Sequence, residues 1–168
     1  TGAHILLALK GFAMWSVFPL LKTVLKGTCA SSPHEAMLGR EEFGGETHVF
    51  AAGYSREDME AILPVADHVV FNSFAQYRSF GPLVRETNRT SGRAIQCGIR
   101  VNPEHSEGAV PIYDPCSPGS RLGVRLAAFE REARAGGLEG ISGLHFHTLC
   151  EQDAAALDRT LAAVEEKF

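Results

Sequence analysis

Six side chains stand at or near the ends of apolar segments, and each is of a type that does chemistry. Lys10 closes the apolar run 5–9 and is followed at once by Gly11. A desolvated lysine has a lowered pKa and attacks carbonyl carbon. The ordinary alternative is a strand-end lysine whose ammonium reaches water. Arg100 lies in CGIRVNPE, where alternation groups it with Gly98 and Asn102, opposite Cys97, Ile99 and Val101. A guanidinium in an apolar strand needs an anionic partner, either a structural carboxylate or a ligand. His145 and His147 are two apart in LHFHT. In a strand both would share one face, which could begin a metal site if other strand ends supplied ligands. Equally, one could lie in the core and the other at the strand mouth. Cys150 falls just beyond this segment, and Ser31 ends another short one. A lone cysteine is more often a small buried apolar group than a nucleophile.

These residues need elements that bring them to one place. Strands are expected at 5–9, 28–31, 48–52, 67–71, 94–101 and 141–148. A helix is expected over 14–26, with Trp15, Phe18, Leu21 and Leu25 at helical spacing and Gly27 ending it. Ser32 caps the next, with Pro33 in its first turn and Glu35 returning a bond to the cap; this helix runs to Phe43 before Gly44-Gly45. Ser55 with Asp58 opens another, and Asn72 or Ser73 caps the one carrying Phe74, Tyr77 and Phe80. Further helices are expected over 122–135 and at the C-terminal end, where Leu157, Leu161, Val164 and Phe168 form one stripe. Between them, 102–120 has no periodic pattern and contains Pro103, Pro111, Pro115 and Pro118. A loop this long in a compact domain is usually functional, and an ordered one is expected here.

Strand followed by helix, repeated about six times, is the signature of an α/β fold with a parallel sheet. An open doubly wound sheet and a TIM barrel both produce it. No GxGxxG or GxxxxGKT follows a predicted strand, which weakens the nucleotide-binding versions. The expectation is a partial TIM (β/α)8 barrel with about six βα units, cut at both ends from a longer protein. In such a barrel the C-terminal strand ends converge on one mouth. Lys10, Ser31, Arg100, His147 and Cys150 would meet there. A nucleophilic lysine, a ring-stacking histidine and anion-binding groups suit an aldehyde cofactor bearing a phosphate.

Composition bounds the partners. The 168 residues are 45% hydrophobic and 21% charged, with net charge −4. No basic cluster is present to neutralise phosphates, so nucleic acid is not an expected partner. The apolar stretch 12–25 is short for a membrane span and holds Pro19 and Lys22, so no membrane association is expected. No signal-peptide pattern precedes the first strand, and the four scattered cysteines form no CxxC pair, which together suggest a cytoplasmic location.

Six stretches occur in order: ALKGFAMW at 8–15, CASSPHEA at 29–36, EEFGGETHV at 41–49, RVNPEHSE at 100–107, YDPCSPGSRLG at 113–123 and GISGLHFHTLCEQ at 140–152. Together they resemble the carboxynorspermidine (carboxyspermidine) decarboxylases, within the alanine-racemase-like, fold-type III group of pyridoxal 5'-phosphate (PLP) enzymes. The resemblance implies that residues 1–168 belong to a PLP-binding barrel domain, that a C-terminal β-domain lies outside this sequence, and that the enzyme is a homodimer acting on a small polyamine-type substrate. It implies the Schiff-base role for Lys10 and ring stacking for His147. It puts Arg100 and Ser31 near the cofactor, and Cys150 where relatives have a serine near the phosphate. SRLG at 120–123 is similar to the Ser-Lys-Phe-Gly stretch of diaminopimelate decarboxylases, with Arg121 and Leu122 departing from it. Thr28 stands where ornithine decarboxylases carry an acid. The family's glycine-rich phosphate loop and its acid facing the pyridine nitrogen have no counterpart in these 168 residues, so this chain alone is expected to be nearly inactive. The alternatives are a diaminopimelate- or ornithine-type decarboxylase, a non-catalytic PLP-carrier barrel protein (a type that lacks the proline-rich loop), or a metal-dependent hydrolase using His145 and His147. No metal ligand set is assigned.

Overall fold

Six parallel strands lie side by side in the order in which the chain makes them: β1 (Leu6–Ala8), β2 (Gly27–Ala30), β3 (Glu46–Phe50), β4 (His68–Phe71), β5 (Gln96–Arg100) and β6 (Ile141–His145). A doubly wound sheet reverses direction at a switch point. This sheet never does, so its winding is that of a (β/α)8 barrel over six of its units. The computed structural model describes residues 2–108 and 110–168. The helices are α1 (Phe18–Leu21), α2 (Pro33–Leu38), α3 (Arg56–Ile62), α4 (Phe74–Ser91), α5 (Leu126–Arg134) and α6 (Ala154–Lys167).

Local chemistry starts most of the helices. The Ser32 hydroxyl accepts from Glu35 N at 3.2 Å, with Pro33 in the first turn. Glu35 does not return its bond to Ser32 as expected; its carboxylate takes the N–H and hydroxyl of Ser31 at 2.6 and 3.0 Å. Ser55 and Asp58 form a reciprocal capping box. Ser73, not Asn72, caps α4. Asn72 instead accepts from Gly123 N at 2.8 Å and donates to Arg121 O at 3.0 Å, tying the end of β4 to the approach to α5.

The sheet has two faces with different chemistry. Val49, Val69, Phe71, Ile99 and Val101 point outward and pack with Met59, Ile62, Phe74 and Phe129 of the helices in the main core. Phe18 and Phe43 meet edge-on at 5.4 Å in a second cluster, with Leu9. Strand alternation turns Cys29, His48, Phe50, Arg100 and His145 to the other, concave face.

Several expected boundaries shift. Four strands are shorter than their apolar runs, while β2 and β3 keep the expected length but start one and two residues earlier; the last strand ends at His145 rather than at 148. The helix expected over 14–26 is a 3-10 turn, Trp15–Val17, followed by the single turn of α1. Pro19 has no N–H to bond into a preceding turn, and Trp15 and Leu20 are exposed, so no continuous buried stripe forms. The helix after Ser32 ends as α2 at Leu38 and continues as a π-turn to Phe43. On α6 the buried residues are Ala156, Thr160 and Val164, while Leu157 and Leu161 of the expected stripe are exposed. Small Ala156 and Thr160 lie on the buried side of the helix, and Thr160 satisfies its hydroxyl on Ala156 O at 2.8 Å. At the expected helix start, 122, the chain bends instead, Val124 bridges to Val101, and the helix begins only at Leu126.

The proline-rich loop is anchored at several points. Asn102 is 2% exposed, accepts from Glu104 N at 2.9 Å and donates to Pro115 O at 3.4 Å. From α6, Arg159 binds Glu107 through two bonds of 2.8 and 2.6 Å, and Lys167 donates to Pro103 O. Gly123 closes the loop against β5 at φ +79°, where a Cβ would lie 2.7–2.9 Å from the backbone of Val101 and Asn102. Gly136 has almost the same φ, +78°, but open space around it. Both Gly→Ala changes incur left-handed strain, of order 1 kcal/mol. Gly123→Ala adds a backbone clash, and we expect it to cost about 2 kcal/mol more than Gly136→Ala in urea unfolding. Equal costs would mean the loop is not seated on β5 as described.

Candidate active site

All five residues expected at the strand ends line one cavity of about 700 Å³, at the C-terminal edge of the sheet. Lys10 sits two residues past β1, in a turn closed by Gly11 N and Phe12 N on Ala8 O, both at 3.1 Å. It is exposed to the cavity. Ser31 follows β2 directly and is held by Glu35. Cys150 is exposed on the turn after β6, where its N–H donates to the Gln152 side chain.

Arg100 is the buried charge of the site, 5% exposed at the end of β5. Of the two partners expected for it, a structural carboxylate is absent among the described residues, none of whose carboxylates pairs with it. Its Nη2 donates to His147 O at 2.9 Å, and its guanidinium lies 4.8 Å over the Phe50 ring. The cation–π contact and carbonyl bond offset part of the desolvation. Burial still pulls its pKa down, against the opposing effect of Cys116.

His147 lies beyond the end of β6, so strand alternation does not place it with His145. The two rings nonetheless meet edge-on at 6.4 Å, and both line the cavity. His145 stacks on Phe50 at 4.8 Å, and its Nδ1 is buried without a partner, as is the hydroxyl of Thr148 beside it. Among the described residues no third metal-ligating side chain joins the two histidines. Four contributors went unmarked in the sequence. Cys29 faces the cavity with its thiol pKa raised by burial, an effect that Lys10 opposes. Phe50 supports Arg100 and His145, and Asp114 and Glu151 bring negative charge to the lining. Only the inter-strand register could have picked out Cys29 and Phe50.

The histidines of the site favour the neutral form. His145 is lowered from 6.5 to about 4, first by desolvation and then by the charges of Arg100, His147 and Lys10. His147 is lowered by desolvation, then by Lys10 and Arg100. In the window from about 6.5 down to about 4 the unfolded chain therefore binds more protons at His145 than the folded one, and stability falls as pH falls. We expect His145→Gln to flatten this part of the unfolding free energy against pH without abolishing the slope, since His147 contributes in the same direction. An unchanged slope would show that His145 is not desolvated.

No protein-family model matches the sequence. The chain is 44% identical over 166 residues to carboxyaminopropylagmatine decarboxylase of Synechocystis sp., covering 98% of this chain and 40% of that protein. It is 36% identical over 168 residues to carboxynorspermidine/carboxyspermidine decarboxylase of Campylobacter jejuni, covering 100% of this chain and 41% of that one. The crystal structure of carboxynorspermidine decarboxylase from C. jejuni, complexed with norspermidine, superposes with a TM-score of 0.81 at 34% identity, over 99% of this chain and 40% of that chain. Diaminopimelate decarboxylase from Helicobacter pylori, complexed with L-lysine, superposes at 0.72 with 18% identity, over 98% and 43%, and shares the fold. The chain thus spans about 40% of the length of the curated relatives it matches, and over that span it is a homologue of the carboxynorspermidine/carboxyspermidine decarboxylases.

Proposed function

We propose that residues 1–168 are part of the cofactor-binding barrel domain of a PLP-dependent decarboxylase acting on carboxynorspermidine or carboxyspermidine in polyamine biosynthesis. The observation that carries this is the meeting of Lys10, Arg100 and His147 in one cavity of a chain homologous to such enzymes. The residues fit the cofactor. Lys10 presents an amine to the cavity for a carbonyl carbon, and the buried, unpartnered His145 Nδ1 and Thr148 hydroxyl are polar atoms left for a ligand. Lys10 would hold the cofactor, His147 would lie against its ring, and Ser31 and Cys150 would flank it, Cys150 toward the phosphate. When bound, PLP supplies the electron sink for loss of CO₂.

This chain's own residues set the surroundings of that step. Arg100, locked through His147 O, fixes both a positive charge and the backbone that carries the His147 ring. Neutral His145 and His147 keep further positive charge out of the cavity at neutral pH. Asp114 and Glu151 offer carboxylates to the ammonium groups of a polyamine. We further infer a homodimer in the cytoplasm; the support is the family resemblance and the four free cysteines. Among the described residues, no helix is long and apolar enough to cross a membrane.

A second reading is favoured by the 44% identity to the Synechocystis enzyme: the substrate is carboxyaminopropylagmatine. Assay of CO₂ release by the protein that carries this chain, on that compound, carboxynorspermidine, carboxyspermidine and diaminopimelate, separates the readings. We expect one of the carboxylated polyamines to be preferred over diaminopimelate; the reverse preference would refute the proposal. Borohydride reduction after incubation with PLP, followed by peptide mapping, should find the adduct at Lys10. Lys10→Ala should lose that adduct and the visible absorbance of the bound cofactor, and reduce turnover to background. A persisting band would remove Lys10 from the role.

A further inference from the structure

At the opposite end of the same concave face lies a second group of side chains that the cavity does not use. Glu46 and His48 alternate on β3 below Phe50, and His68 begins β4 directly beside His48 in the register. Phe50 lines the cavity while Thr47 and Val49 are fully buried on the outer side, so Glu46 and His48 face inward. His48 lies two residues, about 7 Å, from Phe50 toward the N-terminal edge of the sheet.

The three side chains are already assembled. His48 Nε2 is 3.1 Å from a Glu46 carboxylate oxygen. The His48 and His68 rings are stacked at 4.0 Å with 12° between their planes. One donor atom from each of the three lies within 4.8 Å of the others, and all three residues are half-buried. Among the described residues no hydrogen bond reaches either nitrogen of His68, and its ring is held by stacking on His48. Two parallel imidazoles at this distance repel if both are protonated.

We propose that Glu46, His48 and His68 form a zinc(II) site at the N-terminal end of the barrel strands. Two imidazole nitrogens and one carboxylate oxygen are the donor set of three-ligand zinc sites, with a fourth position open to water. Magnesium and calcium select all-oxygen, higher-coordination surroundings and do not suit it. Tetrahedral bonds of about 2.0–2.1 Å put donors roughly 3.3 Å apart. The donors now lie within 4.8 Å of one another, and the stacked imidazoles must turn out of parallel for their lone pairs to converge on one ion. The metal would bind β3 to β4 at the edge of the sheet away from the cavity. The site is independent of the reading given to Lys10.

The test uses the chelator-stripped protein that carries this chain, titrated with zinc chloride by calorimetry and with cobalt(II) by visible absorption. We expect one equivalent to bind, intense visible bands of tetrahedral cobalt, and a rise in Tm with zinc but not with magnesium, because binding favours the folded state. His68→Gln and Glu46→Gln should each weaken zinc at least about tenfold, whereas exposed His34→Gln should not. In the proton NMR spectrum of the cobalt-loaded wild-type protein, two exchangeable imidazole N–H signals should be strongly shifted. Unaltered zinc affinity in His68→Gln, or fewer than two shifted imidazole signals, would overturn the proposal. The NMR result decides the matter even if a variant fails to fold.

Discussion

Parallel pairing in chain order is the constraint on which the rest depends. Each strand runs the same way, so every segment that leaves a strand leaves at the same edge. Residues from distant parts of the chain, Lys10 after β1 and His147 after β6, become neighbours because of this geometry and not because they attract one another. The helices then have one task, to cover the outer face. They do so through two apolar clusters, the larger of which fully buries Val49, Val69, Phe71 and Ile99. That frees the inner face to carry polar groups at little cost to the core.

Arg100 shows how far that freedom extends. A guanidinium with almost no exposure and no carboxylate partner would be strongly unfavourable in a helix–sheet core. On the inner face it has the π-face of Phe50, a carbonyl from the next strand's exit and an adjoining cavity. The bond to His147 O also joins the end of β5 to the segment after β6, so the most buried charge and the ring-bearing loop move as one piece. The same economy is visible in Asn102, whose single side chain anchors both ends of a bend in the proline-rich loop.

The features legible in the sequence were those set by local chemistry or by winding. Ser32, Ser55 with Asp58, and Ser73 start helices by bonding to N–H groups within their own turn, so neighbouring residues suffice to read them. Lys10, Ser31, Arg100, His147 and Cys150 could be gathered because a singly wound barrel brings all its strand exits together. What depended on distant partners was not legible. The segment 14–26 has helical spacing, but Pro19 and the position of the second apolar cluster decide that only one turn forms. Leu157 and Leu161 suggest a buried stripe, yet close packing selects the side of α6 that carries Ala156 and Thr160. Phe50, Cys29 and the pairing of His48 with His68 require the inter-strand register, which no single stretch encodes.

The ties between α6 and the proline-rich loop have a consequence in time. Glu107 is held by Arg159, and Pro103 by Lys167, across 52 and 64 residues of chain. The loop is therefore made long before the groups that fasten it. During synthesis these two ties can form only once α6 has emerged and docked, so the loop is fastened well after it is made. Because the Glu107–Arg159 link is an ion pair reached by solvent, dissolved salt should loosen that wall sooner than it loosens the sheet beneath.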